Sequence, residues 1–434
     1  MRAGYGRACI TPPIGTRMSG FGARDEKQPS TGVHDDLFVR LAYVEHEGEE
    51  VLIAGYDLLF FSRENADRLK GAVGRELDLT PRQILLNTSH THVGACVSTW
   101  GYERVVPPNR DYLNAVEAAT IAAAREARDS ARPVSVSCGT GPTRIPVSRR
   151  RPDGKGSVEW RPYPEGEVCA GLPVCLLRDQ DGAPVCLLYS VSCHPSTISG
   201  WEISADYPGV ACRLLDEQLG KPCSIFLQGA GGDAKAFPTT RGRDANGLPT
   251  FITTDWGGVE EAGACAAGEV RDILDQLKPV PPALQSCLIE TEWPLQPLPD
   301  RAGFEAQLAT ASEVRAFAIR EHLDRLDRGL PNPEAARILV HGIQLAAGFR
   351  IVAVEGEMVG ELGNHIKSLY PAGITMPLGY SNGTGLYLPS SRMIPEGGYE
   401  AISQHEYGYG APLAPGMEGI LSAAATDLRA AGVC

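Results

Sequence analysis

Leu85-Leu86-Asn87-Thr88-Ser89-His90-Thr91-His92-Val93-Gly94-Ala95-Cys96 is the stretch that decides how this chain is read. It follows Gln83-Ile84, and the apolar run Ile84-Leu85-Leu86 has the character of a buried strand. Behind the histidines, Val93-Gly94-Ala95 lets a ligand come close to the backbone. Side chains two apart in an extended segment point to the same side, so His90 and His92 would project from one strand end into one space. Imidazole is the commonest metal ligand and the usual general base near neutral pH. The pair alone reads equally well as two ordinary hydrogen-bonded histidines, so the rest of the chain must supply partners.

Composition narrows the class. The 434 residues carry a net charge of -13, with 43% hydrophobic and 21% charged residues, which are globular values. The cations form no stripe and cluster only at Arg149-Arg150-Arg151, so neither nucleic acid nor an anionic membrane surface is expected as a partner. No run approaches the roughly 18 apolar residues of a membrane span, so no membrane insertion is expected. The first residues, Met1-Arg2-Ala3-Gly4-Tyr5-Gly6-Arg7, lack the apolar core of a signal peptide. The 12 cysteines contain no Cys-x-x-Cys pair, which fits reduced thiols and a cytoplasmic location.

Outward from the quoted stretch, strand and helix patterns alternate. Residues 1–25 read as a turn-rich lead-in. Strands are expected at 37–44 and 51–56, a helix at 63–77, a strand at 85–87 and an Ala-rich helix at 111–131. Strand character resumes at 134–139, 173–177, 185–192 and 223–228, with helices at 207–219 and 259–277. The stretch 143–171 breaks the pattern and reads as a functional loop or lid, and 235–257 reads as polar loop. One charged helix is expected over 304–326, then strands at 339–344 and 349–354. A helix to about Tyr370, a loop over 379–399 and a closing helix over 417–431 complete the chain. The pattern is α/β, with mixed sheets flanked by helices in one large domain over 1–434. His90, His194, Asp233 and Glu357 all fall at strand ends, where α/β sheets place their ligand crevices.

With these residues in view, the sequence resembles the neutral (non-lysosomal) ceramidase family in its N-terminal catalytic domain. The resemblance runs through Ile10-Thr11-Pro12-Pro13-Ile14-Gly15, Asn87-Thr88-Ser89-His90-Thr91-His92, Cys193-His194-Pro195-Ser196 and Ala205-Asp206-Tyr207-Pro208-Gly209. It continues through Gln228-Gly229-Ala230-Gly231-Gly232-Asp233, the Gly-Glu helix start at Glu355-Gly356-Glu357, Ser381-Asn382, Tyr387 and Tyr399-Glu400. No single motif is decisive, and it is their shared order along the chain that carries the likeness. It implies one zinc ion held by His90, His194, Glu357 and Tyr387. It also implies His92 beside the metal-bound water, Tyr399 at the developing oxyanion, and Arg149 as the active-site arginine with Arg150 as its alternative. Two departures stand out. The Gly-Asp turn runs on as Ala234-Lys235-Ala236 without the serine often found there, and the sequence continues 35 residues past Tyr399 (434 − 399), so no counterpart of the family's C-terminal β-domain is expected.

The implied chemistry is zinc-dependent hydrolysis of an amide, an N-acyl bond, by metal-activated water. The expected partner is a small, polar molecule, because the segment 147–155 is cationic and polar and is expected to line the cleft. N-acyl sphingoid lipids are the alternative substrate. Two histidines and one carboxylate also describe an iron(II) oxygenase site, and the fold could serve a non-catalytic metal-binding protein. Asp233 reads as structural, and self-association into a homo-oligomer stays open.

Overall fold

The computed structural model describes residues 1–21, 28–98 and 109–434. Among these, the largest sheet has nine strands. Along it lie Ser224–Gln228, Pro184–Val191, Gly171–Asp179, Arg132–Pro142, Arg2–Cys9, Phe38–His46, Glu49–Tyr56 and Ile84–Thr88, with Lys278–Val280 also paired to Arg132–Pro142. The two outermost pairings are parallel and the rest antiparallel. The side chains of Phe38–His46 and Glu49–Tyr56 alternate between two cores. Leu41, Tyr43, Leu52 and Ala54 pack in a core with Val73 of the helix Arg63–Leu77 and Ala124 of the helix Arg110–Asp129. Ala42, Val44, Val51 and Ile53 share a core with Ile343, Leu345, Ile351 and Ala353 of a second sheet. A period of two is what a strand covered on both faces requires.

The second sheet runs Pro282–Pro294, Ala335–Ala346, Phe349–Val354 and Ile374–Leu378, the last pair parallel. Its other face packs Ile338, Val340 and Val352 with Leu362 of the helix Gly360–Ser368 and Leu421 of the helix Met417–Ala430. The layers are therefore helices, sheet, sheet, helices. Two further helices, Asp206–Leu219 and Trp256–Leu274, cover Leu172, Leu176 and Tyr189 at the other end of the large sheet. The α/β reading with mixed sheets holds.

Several local expectations need correction. The lead-in contains the strand Arg2–Cys9, central to the large sheet; its residues 22–25 lie outside the described residues. Gly4 and Gly6 hide this strand from a pattern search. A Cβ on either would stand 2.0 Å from a carbonyl oxygen of the Ala-rich helix, so the helix lies where side chains would otherwise be. The expected lid at 143–171 is a hairpin, Pro146–Pro152 against Val158–Tyr163, with Ala234–Ala236 added on its other edge. Its strands look loop-like because the buried Arg149 and Arg150 stand where apolar residues usually do. The same Ala234–Ala236 pairing puts a strand inside the expected 235–257 loop. The charged helix at 304–326 is two helices, Arg301–Leu308 and Glu313–Asp327. Ser312 sits between them in extended backbone at the N-cap position, which starts the second helix afresh. Finally, Glu357 starts no helix. It lies in the two-residue strand Glu357–Met358, and the helix begins at Gly360.

The large sheet curls so that its two parallel outer strands meet. The Asn87 side chain makes the join. Its Oδ1 accepts from the Gln228 amide at 2.7 Å, and its Nδ2 donates to the Gln228 carbonyl at 3.3 Å and the Gly379 carbonyl at 2.9 Å. Three strand ends, after Thr88, Gln228 and Leu378, are thereby drawn to one place.

Candidate metal centre

His90 lies two residues past the strand Ile84–Thr88, with φ of 67°, a left-handed conformation that breaks the extended course of the strand. Its amide donates to the Leu58 carbonyl at 2.9 Å. Its Nδ1 stands 3.0 Å from the Leu59 carbonyl oxygen. A carbonyl can only accept, so Nδ1 carries the proton and Nε2 keeps its lone pair. His194 repeats the arrangement. It follows the strand Pro184–Val191, and its Nδ1 donates to the Gly231 carbonyl at 2.7 Å. The glycines of the turn at 229–233 permit this approach: a Cβ on Gly231 would fall 2.5 Å from the Cys193 nitrogen.

Glu357 and Tyr387 arrive together, because their backbones pair in a short parallel ladder. Glu357 Oε2 lies 3.2 Å from His90 Nε2 and 3.5 Å from His194 Nε2. The Tyr387 hydroxyl lies 3.2 Å from His194 Nε2. The other carboxylate oxygen of Glu357, Oε1, accepts from the Tyr407 hydroxyl. His90, His194, Glu357 and Tyr387 are all buried. His90 Nε2 and Glu357 Oε2 face each other yet satisfy no hydrogen-bond geometry. Electron-rich atoms brought this close in a buried site are suited to hold a cation between them. Donors at 2.0–2.1 Å from a tetrahedral zinc stand about 3.3 Å apart, close to the separations found.

His92 stands beside this set. Its ring is edge-on to His90 at 4.8 Å and tilted to His194 at 5.5 Å. His90, His92 and His194 offer ligand atoms within 4.8 Å of one another and form a group able to hold a metal ion. Gly20, at φ 115°, backs onto His92, where a Cβ would come 2.7 Å from the His92 Cα. Burial, then the charges of His90 and His194, hold the His92 pKa well below 6.5. Burial, then Arg149, lowers His194 to about 3. Burial pushes Glu357 upward, but the neighbouring imidazoles overcome it and hold the carboxyl well below its usual range. Burial and the Glu357 charge raise Tyr387 well above 10, with Arg149 opposing.

Arg149 reaches the centre and Arg150 does not. Arg149 donates from Nη2 to the Tyr387 hydroxyl at 3.1 Å and from Nε to Glu400 Oε1 at 2.6 Å. Arg150 donates to the other oxygen of Glu400 at 2.6 Å, and to Glu396 and the Gly397 carbonyl. Within the expected cationic cleft wall at 147–155, Arg149 and Arg150 are thus paired with Glu400 and Glu396, and Arg149 lines the pocket. The Tyr399 ring lies 5.3 Å from that of Tyr387, and its hydroxyl donates to Glu406. Asp233 accepts from the Gly360 amide at 2.8 Å, which ties the turn at 229–233 to the start of the helix Gly360–Ser368.

The pocket above the histidines has a cavity volume of about 310 Å³, at the small end for ligand sites. Its lining includes the apolar Met18, Phe21, Leu59, Phe60 and Trp160. Sequence reasoning missed Glu400, Tyr407 and Trp160 as site-builders. Glu400 follows Tyr399 directly, but nothing in its spacing marks it as the partner of two arginines. Tyr380 was also missed; its ring packs 4.3 Å from that of His90.

No family model matches the sequence, and no curated protein matches it. Solved structures do. The neutral ceramidase from Pseudomonas aeruginosa superposes with a TM-score of 0.74 at 15% identity, over 100% of this chain and 74% of that one. The fold is that of the neutral ceramidases. A second structure, a ceramidase complexed with C2, matches with a TM-score of 0.73 at 14% identity and the same coverage. At such identities the ceramidase likeness concerns the fold, and chemistry must be argued from the side chains.

Proposed function

We propose that the protein is a zinc-dependent amidohydrolase that cleaves the N-acyl bond of a small compound. The observation that carries this reading is the convergence of His90 Nε2, His194 Nε2, Glu357 Oε2 and the Tyr387 hydroxyl, with contacts of 3.2–3.5 Å and His92 alongside. The ceramidase fold supports it. When bound, zinc supplies a charge that polarises a carbonyl and lowers the pKa of water to about 7.

The reaction adds water across the C–N bond, the hydroxyl to the acyl carbon and a proton to the nitrogen. His92 is neutral because it is buried among other nitrogen bases, so its imidazole can take the proton of water and return it to the leaving amine. Arg149, held by Glu400, keeps a positive charge against Tyr387 and favours its ionised form. Tyr399 supplies a donor to the carbonyl oxygen as negative charge develops there, on turning from Glu406. The small pocket supports a compact substrate. Its apolar lining residues favour a second reading, an N-acyl sphingoid lipid with only its head seated here.

The test is a hydrolysis panel with zinc-loaded protein, comparing N-acyl amino acids, N-acyl sugars and cyclic amides with N-acyl sphingoid bases. Turnover of a polar amide at a kcat/KM on the order of 10⁴ M⁻¹s⁻¹, the value of an ordinary enzyme, supports the reading. Turnover of the lipid alone replaces it with the second. Oxygen consumption by an iron-loaded sample would overturn both.

A further inference from the structure

Lys235 lines the pocket and, among the described residues, forms no ion pair. It belongs to the strand Ala234–Ala236 and is bridged to His194 in parallel fashion. Residues paired in this way carry their side chains on the same face, so the lysine rises beside the candidate ligand His194. Its Nζ lies 3.5 Å from the Ser196 carbonyl oxygen and 5.5 Å from the centre of the Phe251 ring. Phe251 in turn stands edge-on to Trp160 at 6.4 Å. This corner of the pocket is an ammonium set against aromatic rings.

The carboxylates around it are engaged elsewhere. Glu400 is held by Arg149 and Arg150. Glu406 accepts from Tyr399 and pairs with Arg315 at 3.2 Å. Glu357 faces the two imidazoles and accepts from Tyr407. Asp206, whose charge also reaches Lys235, accepts from the Thr197 amide at 3.0 Å and the Tyr207 amide at 2.6 Å. A partly buried ammonium left in this state is costly, and an incoming anion relieves the cost.

We infer that Lys235 is a specificity-determining residue that pairs with a carboxylate on the substrate, close to the scissile amide. This rests on the amidohydrolase reading and narrows it to anionic N-acyl compounds. The carboxylate has two homes to choose from: the amine part, as in an N-acyl amino acid, or the acyl part, as in a half-amide of a dicarboxylic acid. A substrate with neither leaves the ammonium unpaired, and discrimination of this kind is the larger sort an enzyme achieves.

The experiment is calorimetric titration of the zinc-loaded protein with N-benzoylglycine and N-benzoylglycinamide, and with succinanilic acid and its primary amide. The result expected is binding of the acid tighter by about tenfold or more in one of the pairs, from a charge-assisted contact, and the pair that discriminates identifies the home of the carboxylate. The ratio falls to about one in Lys235→Gln and in Lys235→Met, which keep the stem and lose the charge, and is retained in Lys235→Arg. A wild-type ratio near unity in both pairs overturns the inference without any variant. So does a ratio that survives in Lys235→Gln, which would mean that the metal or another group reads the carboxylate. Hydrolysis is scored separately in the same samples. Discrimination lost with Lys235 but no amide turned over keeps this binding role and removes the hydrolase reading; turnover without discrimination does the reverse.

Discussion

Asn87 does at the scale of one residue what the layers cannot. Its fully buried amide joins the strand ends that carry the site, through Gln228, Gly379 and the Ser381 hydroxyl at 3.1 Å. Asn87→Ala strands several buried polar groups and should cost about 2–4 kcal/mol in urea unfolding; a loss below about 0.5 kcal/mol, the range of an ordinary surface change, would mean the join is redundant. His92 tests the division of labour around the metal. His92→Gln should lower kcat by about 10²–10⁴ while zinc content stays near that of the parent, whereas Glu357→Gln should lose zinc. Equal zinc loss in both would make His92 a ligand instead. A third residue gives the pH dependence of stability. His341 is buried, its Nε2 donates to the Arg82 carbonyl at 2.7 Å, and its Nδ1 accepts from Asn382 at 3.1 Å. Burial lowers its pKa from 6.5 to about 3. Between those values the unfolded chain binds a proton that the folded one refuses. Stability is therefore full above pH 6.5 and falls as pH drops toward 3, by up to about 1.4 kcal/mol per pH unit. Unfolding midpoints followed downward from neutral pH should fall less steeply in His341→Gln than in the parent.

At the scale of elements, the hairpin at 146–163 is fastened to the segment after Tyr387 through Glu400, which takes both Arg149 and Arg150, with Glu396 and the Gly397 carbonyl adding to the hold on Arg150. Glu400→Ala leaves the buried Arg149 without its counter-charge and Arg150 with Glu396 alone, an effect of about 3–5 kcal/mol where a buried pair is broken. Unfolding by urea should show a loss of that order, and activity should fall with it because Arg149 is released. Elements that obey a simple period were legible. The helix Arg63–Leu77 runs over the residues its pattern marks, with Ser62 as its N-cap. Elements whose polar residues are satisfied in pairs were not. Arg149 and Arg150 make a strand look like a loop, since a pattern search cannot see Glu400 arriving from far along the chain. The strand Pro282–Pro294 was missed for a different reason. Its Ile289, Glu290, Thr291 and Glu292 are half-exposed or exposed, and its prolines stand at the two ends, where a ladder tolerates them.

For the whole molecule, the order of the ligand-type residues was legible and their supports were not. His90, His194, Glu357 and Tyr387 each stand next to a recognisable turn, but Tyr407, Glu400 and Trp160 matter only through three-dimensional contact. The proposed metal links the two sheets, so it should stabilise the entire fold. Saturation at about 1,000 times Kd adds about 4 kcal/mol, and scanning calorimetry with and without chelator should show a single transition moving upward with zinc. Elemental analysis below about 0.2 metal per chain, with no such shift on adding zinc, would count against a resident metal. No helix among the described residues is long and apolar enough to cross a membrane.

The pairing of Glu357 with Tyr387 has a consequence for biosynthesis. A chain made from its amino end exposes His90 and His194 long before either of these residues has been polymerised. A pair of imidazoles on a growing chain would grip several divalent ions, copper more firmly than zinc. The carboxylate and the phenol come last and come together, because one short ladder carries both. Under the proposed ligand set, the choice of ion is therefore made only once both residues are in place, by a completed cavity, and an ion picked up early would still be exchangeable when that ladder closes.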